Sequence, residues 1–387
     1  MSFFRNDAIN RVNLQGAIQA LAQGAGQLFL LVFLLHAGVP APVALLEQAA
    51  IVALRFAARP ALLPLAQRWG VKPLLLAGTV GLAAQYPLVA EVHGVGAPLL
   101  AVAIAAALGE VFYYVSMNTY FAALGDVEHR GSQVAIAQAA GAVAGVVAPA
   151  LGAWAMVTAG PRWTFAGVAL VQAASVIPLL GLPNLPVARD APGAWRAARP
   201  AALLIVLDGW FDATFIFVWQ IALFKALGES FTAYGGAMAA AGLVGAGAGL
   251  LTGRHVDAGG GRRSVAIGYG AAVALVVLRA ACLGSPVLAG AANALGGLVM
   301  PLVAPPLASV THNIAKGSPC PMRVKMATEG GWDVGCFAAC LVAAAMLWLR
   351  LPAWAGVLLT LPAAGASAAL LWGHHPVAGR RASGGAV

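Results

Sequence analysis

LPNLPVARDAPGAWRAARP, residues 182–200, is the longest polar connection in a chain that is otherwise built of apolar runs. Four prolines, three arginines and an aspartate make it a poor continuous helix and a good linker. Working outward from it, apolar stretches of the length that crosses a bilayer, about 20 residues, recur on both sides. Six precede the linker, at about residues 12–35, 41–66, 73–92, 97–124, 132–158 and 163–182. Six follow it, at about 201–225, 232–252, 264–283, 285–312, 325–349 and 353–373. Of 387 residues, 61% are hydrophobic and 9% charged, which a soluble domain of ordinary composition does not show.

The expectation is an all-α integral membrane protein. Its parts would be an N-terminal six-helix bundle (1–182), a cytoplasmic linker (183–200), and a C-terminal six-helix bundle with a short tail (201–387). A barrel would show alternating segments of about ten residues, and the sequence has none. The first apolar run is too long for a cleavable signal, and no small-residue cleavage site follows it. Cys336 and Cys340 share one helical face and read as small buried hydrophobes rather than a disulfide framework. Twelve crossings put both termini on one side. The loops of that side hold sixteen Lys and Arg against three on the other, so the termini are expected in the cytoplasm and the protein in the cytoplasmic (inner) membrane. The net charge of +9 is then a topology signal, and no basic soluble domain exists to bind nucleic acid.

Polar groups inside the spans are costly in hydrocarbon and so mark candidate sites. The first span spaces Gln15, Gln19, Gln23 and Gln27 four apart, which in a uniform α-helix keeps them on one broad side. The fourth carries Glu110 near its middle, followed by Tyr113, Tyr114 and Asn118. The seventh carries Asp208, Trp210, Asp212 and Gln220, and the tenth Asn293. Asp212, Glu110 and Asp208 are candidates for proton coupling or cation contact; the bland alternative is a carboxylate satisfied by neighbouring donors. The second span carries Arg55 and Arg59, and the eleventh Glu329 and Asp333, each pair one helical turn apart. The helices run in opposite directions, so these four fall at matching depths. Gly141 and Gly145 in the fifth span, and Gly245, Gly249 and Gly253 in the eighth, form stripes that permit close helix approach.

Two loops carry a resemblance. GLLTGRHVDAGGGRRS places Gly253, Asp257, Gly261, Arg262 and Arg263 after the eighth span; PLAQRWGVKP places Arg68, Gly70 and Lys72 after the second, with Gln67 where an aspartate is usual. With Arg130 and Gly131 before the fifth span, and AGVVAPALG with Pro149 and Gly152 within it, the chain resembles the major facilitator superfamily of the twelve-helix bacterial type. That resemblance implies two bundles with pseudo-two-fold symmetry around a central cavity lined by the first, fourth, seventh and tenth helices. It places the four glutamines, Tyr113, Tyr114, Asn118, Trp210, Gln220 and Asn293 at the cavity, beside the alternative that the amides bond neighbouring helices. It also brings the second and eleventh helices together, so Arg55, Arg59, Glu329 and Asp333 would form a cytoplasmic gate of ion pairs. The AGVVAPALG motif hints at antiport.

The sequence has no Walker loop, Rossmann turn or nucleophile elbow, so neither an enzyme nor a cofactor is expected. His312, Cys320, Met322 and Met326 offer soft donors near one membrane surface, but Arg323 and Lys325 stand among them, and no metal site is expected. The function expected is a secondary transporter working by alternating access and coupled to protons. It would export a small cationic or amphipathic organic compound by antiport, as a monomer among membrane lipids. The alternatives are a proton-coupled importer of a nutrient, metal ion or metal chelate, and a lipid flippase or non-transporting receptor.

Overall fold

The computed structural model describes residues 6–124, 130–256 and 261–374. Among them every regular element is helical. The spans are α1 (Asp7–His36), α2 (Ala41–Trp69), α3 (Val71–Ala90), α4 (Ala97–Leu124), α5 (Arg130–Thr158) and α6 (Pro161–Leu180), then α7 (Ala194–Ala226), α8 (Phe231–Val256), α9 (Gly261–Cys282), α10 (Pro286–Ala315), α11 (Pro321–Trp348) and α12 (Ala353–Gly373). Eleven are long and apolar enough to cross a membrane by length and composition among the described residues. The remaining one, α8, has 26 residues and lies where the eighth span is expected. Large apolar side chains such as Leu170, Leu203 and Val287 stand on the outside, the inverse of a soluble surface. All four cysteines are free thiols, and Cys336 and Cys340 are fully buried in an apolar cluster with Ala49, Val52 and Ala213.

Two helices depart from regular α geometry. Both α1, at Gln23–Gln27, and α7, at Ala213–Val218, widen into one π-helical turn. Such a turn holds an extra residue and changes which faces the preceding and following segments present, and it recurs at functional sites. The connection between α6 and α7 is shorter than the sequence suggests. Residues 194–200 are helical, because Ala194, Ala198 and Ala201 form a buried stripe after Gly193, whose φ of +81° starts the helix.

Within the N-terminal bundle α3 packs on α4, and within the C-terminal bundle α7 packs on α11; the two bundles meet along α2 with α11 and α5 with α8. The α5–α8 seam is backbone-tight at a glycine outside the expected stripes: a Cβ on Gly242 would collide with the Gly145 carbonyl. Gly141, Gly145 and Gly249 themselves have open space where a Cβ would stand, so the close approach depends on Gly242 and on Gly235, where a Cβ would collide with Ala153 and the Pro149 carbonyl. Gly253 lies near the end of α8, next to residues 257–260, which include Asp257 and lie outside the described residues.

The connection is tied down from several sides. The Lys72 ammonium donates to the Leu180 and Leu182 carbonyls (2.6 and 2.9 Å) at the end of α6. Asn184 accepts from the Lys72 backbone N–H (3.1 Å) and donates to the Trp69 carbonyl (2.7 Å). Gly70, at φ +82°, leaves no room for a Cβ beside Asn184. Gln67, standing where an acid is usual, donates to the Ala188 carbonyl at 3.3 Å. Arg323 of α11 donates to the Arg189 carbonyl at 2.6 Å.

Candidate functional site

Between the bundles lies a cavity of about 470 Å³. Gln23, Gly24, Gln27, Leu28 and Leu31 of α1 line it, with Gln48 of α2 and Gly141, Gly145 and Pro149 of α5. From the other bundle come Ile216, Phe217 and Gln220 of α7, and Met238, Ala241 and Gly242 of α8. The two π-turns thus supply opposite walls. The wall is apolar apart from four amides, and no charged side chain reaches it among the described residues.

The glutamine ladder divides at the π-turn. Gln23, whose Nε2 donates to Tyr114 Oη (2.8 Å), and Gln27 face the cavity. Gln15 and Gln19 do not: Gln15 accepts from Tyr113 Oη (3.0 Å), and Gln19 accepts from the Gln172 amide of α6. These two are buried interhelical glue. Gln15 and Gln19 lie in the regular α segment, where the drift of about 40° per four residues turns them toward α4 and α6, whereas Gln23 and Gln27 open and close the π-turn and share the cavity face. Tyr113 and Tyr114 accordingly stand behind the wall rather than in it.

A charged network lies nearer the side of the termini. Arg55 Nε donates to Asp333 Oδ1 (2.6 Å), its Nη2 pairs with the same carboxylate, and its Nη1 pairs with Glu110 Oε2 (2.7 Å). Arg59 Nη2 pairs with the other oxygen of Asp333. The Arg55 guanidinium lies over the Trp332 ring, 4.8 Å from its centroid, and Trp332 Nε1 donates to Asp212 Oδ2 (3.0 Å). Counting along the helices at about 1.5 Å per residue, Arg55, Glu110 and Asp333 sit about 18–21 Å from the ends nearest the termini. Gln23, Gln27 and Gln48 sit about 24–32 Å from the same side, so the cluster lies between that side and the cavity.

Two expected roles change here. Glu110 belongs to this inter-bundle cluster, because Arg55 reaches it across the α2–α4 contact. Glu329 makes no ion pair with either arginine; it accepts from Asn118 Nδ2 at 3.4 Å, which also takes Asn118 away from the cavity. Asp333, one turn deeper on α11, occupies both guanidinium groups. Asp208, half-buried, lies one turn from Asp212 on α7, and neither reaches the wall.

Two of the remaining predicted liners are bonded between helices of the C-terminal bundle. Trp210 Nε1 donates to the Leu359 carbonyl (2.9 Å) of α12. Asn293 accepts from Trp219 Nε1 (2.9 Å) and donates to the Ala237 carbonyl (2.9 Å), joining α7, α8 and α10. Gln220 does line the cavity. Among the loop-signature arginines, Arg68 lies over Trp69 and Arg262 donates to the Trp372 carbonyl at 3.1 Å, while Arg263 is exposed. Cys320, Met322 and Met326 pack together among Leu62, Leu74 and Val115, an apolar cluster rather than a donor set; the His312 side chain lies outside the described residues.

Sequence reasoning missed four features. On the side opposite the ion pairs an aromatic clasp joins the bundles. Phe29 of α1 meets Tyr234 of α8 edge-on (5.7 Å), His36 meets Phe231 (5.0 Å), and Tyr234 Oη donates to the Leu28 carbonyl (3.3 Å). In α9, Arg279 is buried without an acid: Nη1 donates to the Phe215 carbonyl (2.9 Å) in the π-turn, and the guanidinium lies over the Phe215 and Trp219 rings (4.2 and 4.5 Å). Gly296 leaves the space it fills. Glu47 and Gln48 on α2, and Gln172 on α6, complete the omissions. The signal for Glu47 and Arg279 was the one that flagged Glu110, a charge inside an apolar run.

No curated protein matches this chain. In structure it is similar to the human organic anion transporter MFSD10 (TETRAN), with a TM-score of 0.70, 20% identity, and coverage of 94% of this chain and 99% of that one. It is also similar to a POT family transporter in complex with 5-aminolevulinic acid (TM-score 0.69, 9% identity, 94% of each chain). A third likeness is to the nucleoside transporter NupG (TM-score 0.65, 14% identity, 95% of this chain and 98% of that one). The sequence signature of the Major Facilitator Superfamily matches residues 15–319, well over half of the chain, and with the two bundles around a central cavity this shows that the chain belongs to that superfamily of membrane transporters.

Proposed function

We propose that this secondary transporter carries a small amphipathic organic compound out of the cytoplasm in exchange for protons. The observation that supports this reading is the cavity of about 470 Å³ held between an ionic cluster on one side and an aromatic clasp on the other. Alternating access needs contacts that exist in one state and not in the other, and both sets cross between the bundles. Breaking the Arg55–Asp333 and Arg59–Asp333 pairs would open the cavity to the side of the termini, which we take as cytoplasmic. Parting Phe29 from Tyr234 would open the opposite side.

The wall suits a solute with an apolar body and a few hydrogen-bonding groups, because four amides offer both donors and acceptors within an apolar lining. Substrate charge would be met by Asp208 and Asp212 behind the α7 wall rather than by direct contact in the closed state. Pro149, from the segment that resembles the antiporter motif, lines the cavity, and this supports export as the direction.

The test is a thermal-shift screen of the purified protein against amphipathic cations, neutral amphipaths, organic anions, sugars and metal ions. It is followed by uptake into proteoliposomes with and without a pH gradient. A specific ligand stabilises the folded state by mass action. Stabilisation by amphipathic cations or neutral amphipaths, lost in Gln23→Leu and Gln220→Leu, is the expected result. Stabilisation by sugars or organic anions alone would overturn the substrate class, and gradient-independent exchange would overturn proton coupling.

A further inference from the structure

Glu47 stands seven residues into α2, fully enclosed by the protein, in a position unlike that of any carboxylate in the ionic cluster. Asp333 meets two guanidinium groups, Glu110 meets one, and Asp212 accepts from an indole. Glu47 has a neutral amide alone: Gln48 Nε2 donates to its Oε2 at 2.7 Å, while its Oε1 is buried with no hydrogen-bond partner. The same Gln48 lines the cavity. Among the titratable and charged groups on the surrounding helices, Glu110 of α4 is the one acting electrostatically on Glu47, and it repels a second negative charge. The other ionisable groups in the middle stretches of the helices packed around α2 are Tyr86 of α3, Tyr113 and Tyr114 of α4, Asp208 and Asp212 of α7, and Glu329, Asp333, Cys336 and Cys340 of α11. Arg55 lies two turns further along α2, with its guanidinium engaged by Glu110 and Asp333.

We propose that Glu47 is a proton-binding site that reports its charge to the cavity through the orientation of the Gln48 amide. This deepens the transport reading and rests on the cavity being the transport site. An ionised Glu47 carries two acceptor oxygens and no donor, so Gln48 must turn its NH₂ toward the carboxylate and its carbonyl oxygen toward the cavity. When a proton from the cavity side binds Oε1, the carboxyl becomes a donor as well. Its O–H can then bond the Gln48 carbonyl oxygen, and the amide can turn over to present NH₂ to the cavity. Oε1 then has a partner through its proton while Oε2 gives up the Gln48 NH₂, so a neutral carboxyl that donates one bond replaces a buried charge that accepts one. Loading the proton converts one acceptor in the wall into a donor, so a solute bound through that position would leave as the proton enters. This is an exchange of the kind antiport requires.

The experiment is infrared difference spectroscopy of the full chain reconstituted in lipid, titrated from about pH 5 to about pH 9, a range that spans strongly shifted carboxyls. The wild type is expected to show a protonated-carboxyl C=O band that disappears with rising pH and is lost in Glu47→Gln. Glu47→Asp, which keeps an acid, should retain a titrating band at a different midpoint. In Gln48→Leu the band should persist at a shifted frequency, because its hydrogen-bond partner has gone. Superimposable wild-type and Glu47→Gln spectra would overturn the proton site, and an unshifted band in Gln48→Leu would overturn the link to the cavity. The readout needs no substrate. A silent Glu47 therefore leaves the transport reading intact, and a failed transport assay leaves the titration interpretable.

Discussion

Two arginines, Arg55 and Arg279, are each about 4% exposed in the middle of the protein, and their surroundings differ in kind. Arg55 joins Glu110 of its own bundle to Asp333 of the other, beneath the ring of Trp332. Arg279 stays within one bundle, held by a carbonyl of the α7 π-turn and by two aromatic rings. A carboxylate–guanidinium contact between bundles is lost when the bundles part, so it weights one conformation over another. A contact wholly inside a bundle travels with it and weights neither. The same residue type at the same burial therefore bridges the bundles in one place and braces a single bundle in the other, and in the proposed cycle only the first is a switch.

The largest effect is expected from Arg55→Ala. It leaves Glu110 a buried charge without its partner and Asp333 with Arg59 alone, and should cost about 3–5 kcal/mol, the part from Asp333 falling on the closed arrangement. Alkylation of single cysteines placed on the termini-side faces of α2 and α11 should rise sharply; an unchanged rate would remove Arg55 from the switch. Arg279→Met comes next. The Phe215 carbonyl loses its donor, for a loss of about 1–3 kcal/mol in thermal stability with the alkylation pattern unaltered. A changed pattern would show that the brace also senses the state. Tyr234→Phe removes the bond to the Leu28 carbonyl and should shift the balance by about 1 kcal/mol in the sense opposite to Arg55→Ala. This is read by alkylation from the other side of the membrane. The smallest effect is expected in Gln23→Leu. Ligand affinity should fall about fivefold, since one neutral hydrogen bond contributes about 1 kcal/mol, while both closures are left in place.

Hydrophobic runs, the linker and the loop motifs were enough to anticipate the architecture, because lipid forces the backbone into helices and the period of apolar residues is then unambiguous. The meeting of Arg55 and Arg59 with Asp333 was also legible, since antiparallel helices match depth by simple counting. The assignment of Glu329 failed by one turn, a choice that side-chain reach decides and spacing does not. Gln15 and Gln19 were misplaced because the drift of about 40° per step at four-residue spacing turns the lower amides toward α4 and α6, which spacing alone does not separate from the cavity face. Asn293 and Trp210 looked like cavity groups because a polar atom in a span looks the same whether it meets a solute or a carbonyl. Glu47 sat next to a cavity amide in plain view, but i and i+1 on a helix point about 100° apart, so the pairing emerges only when both side chains are placed.

The pinned connection between α6 and α7 sets the scale for these energies. Lys72, Gln67 and Asn184 hold it to the N-terminal bundle as far as Ala188, and Arg323 holds the Arg189 carbonyl from the C-terminal bundle. Two partners joined by so short a tether meet at an effective concentration in the millimolar range or above, so contacts worth about 4 kcal/mol, the equivalent of a millimolar Kd, suffice to keep them together. In the proposed cycle the bundles would therefore behave as one molecule choosing between postures, not as two bodies that must find each other. A handful of side chains worth a few kcal/mol can then govern the choice.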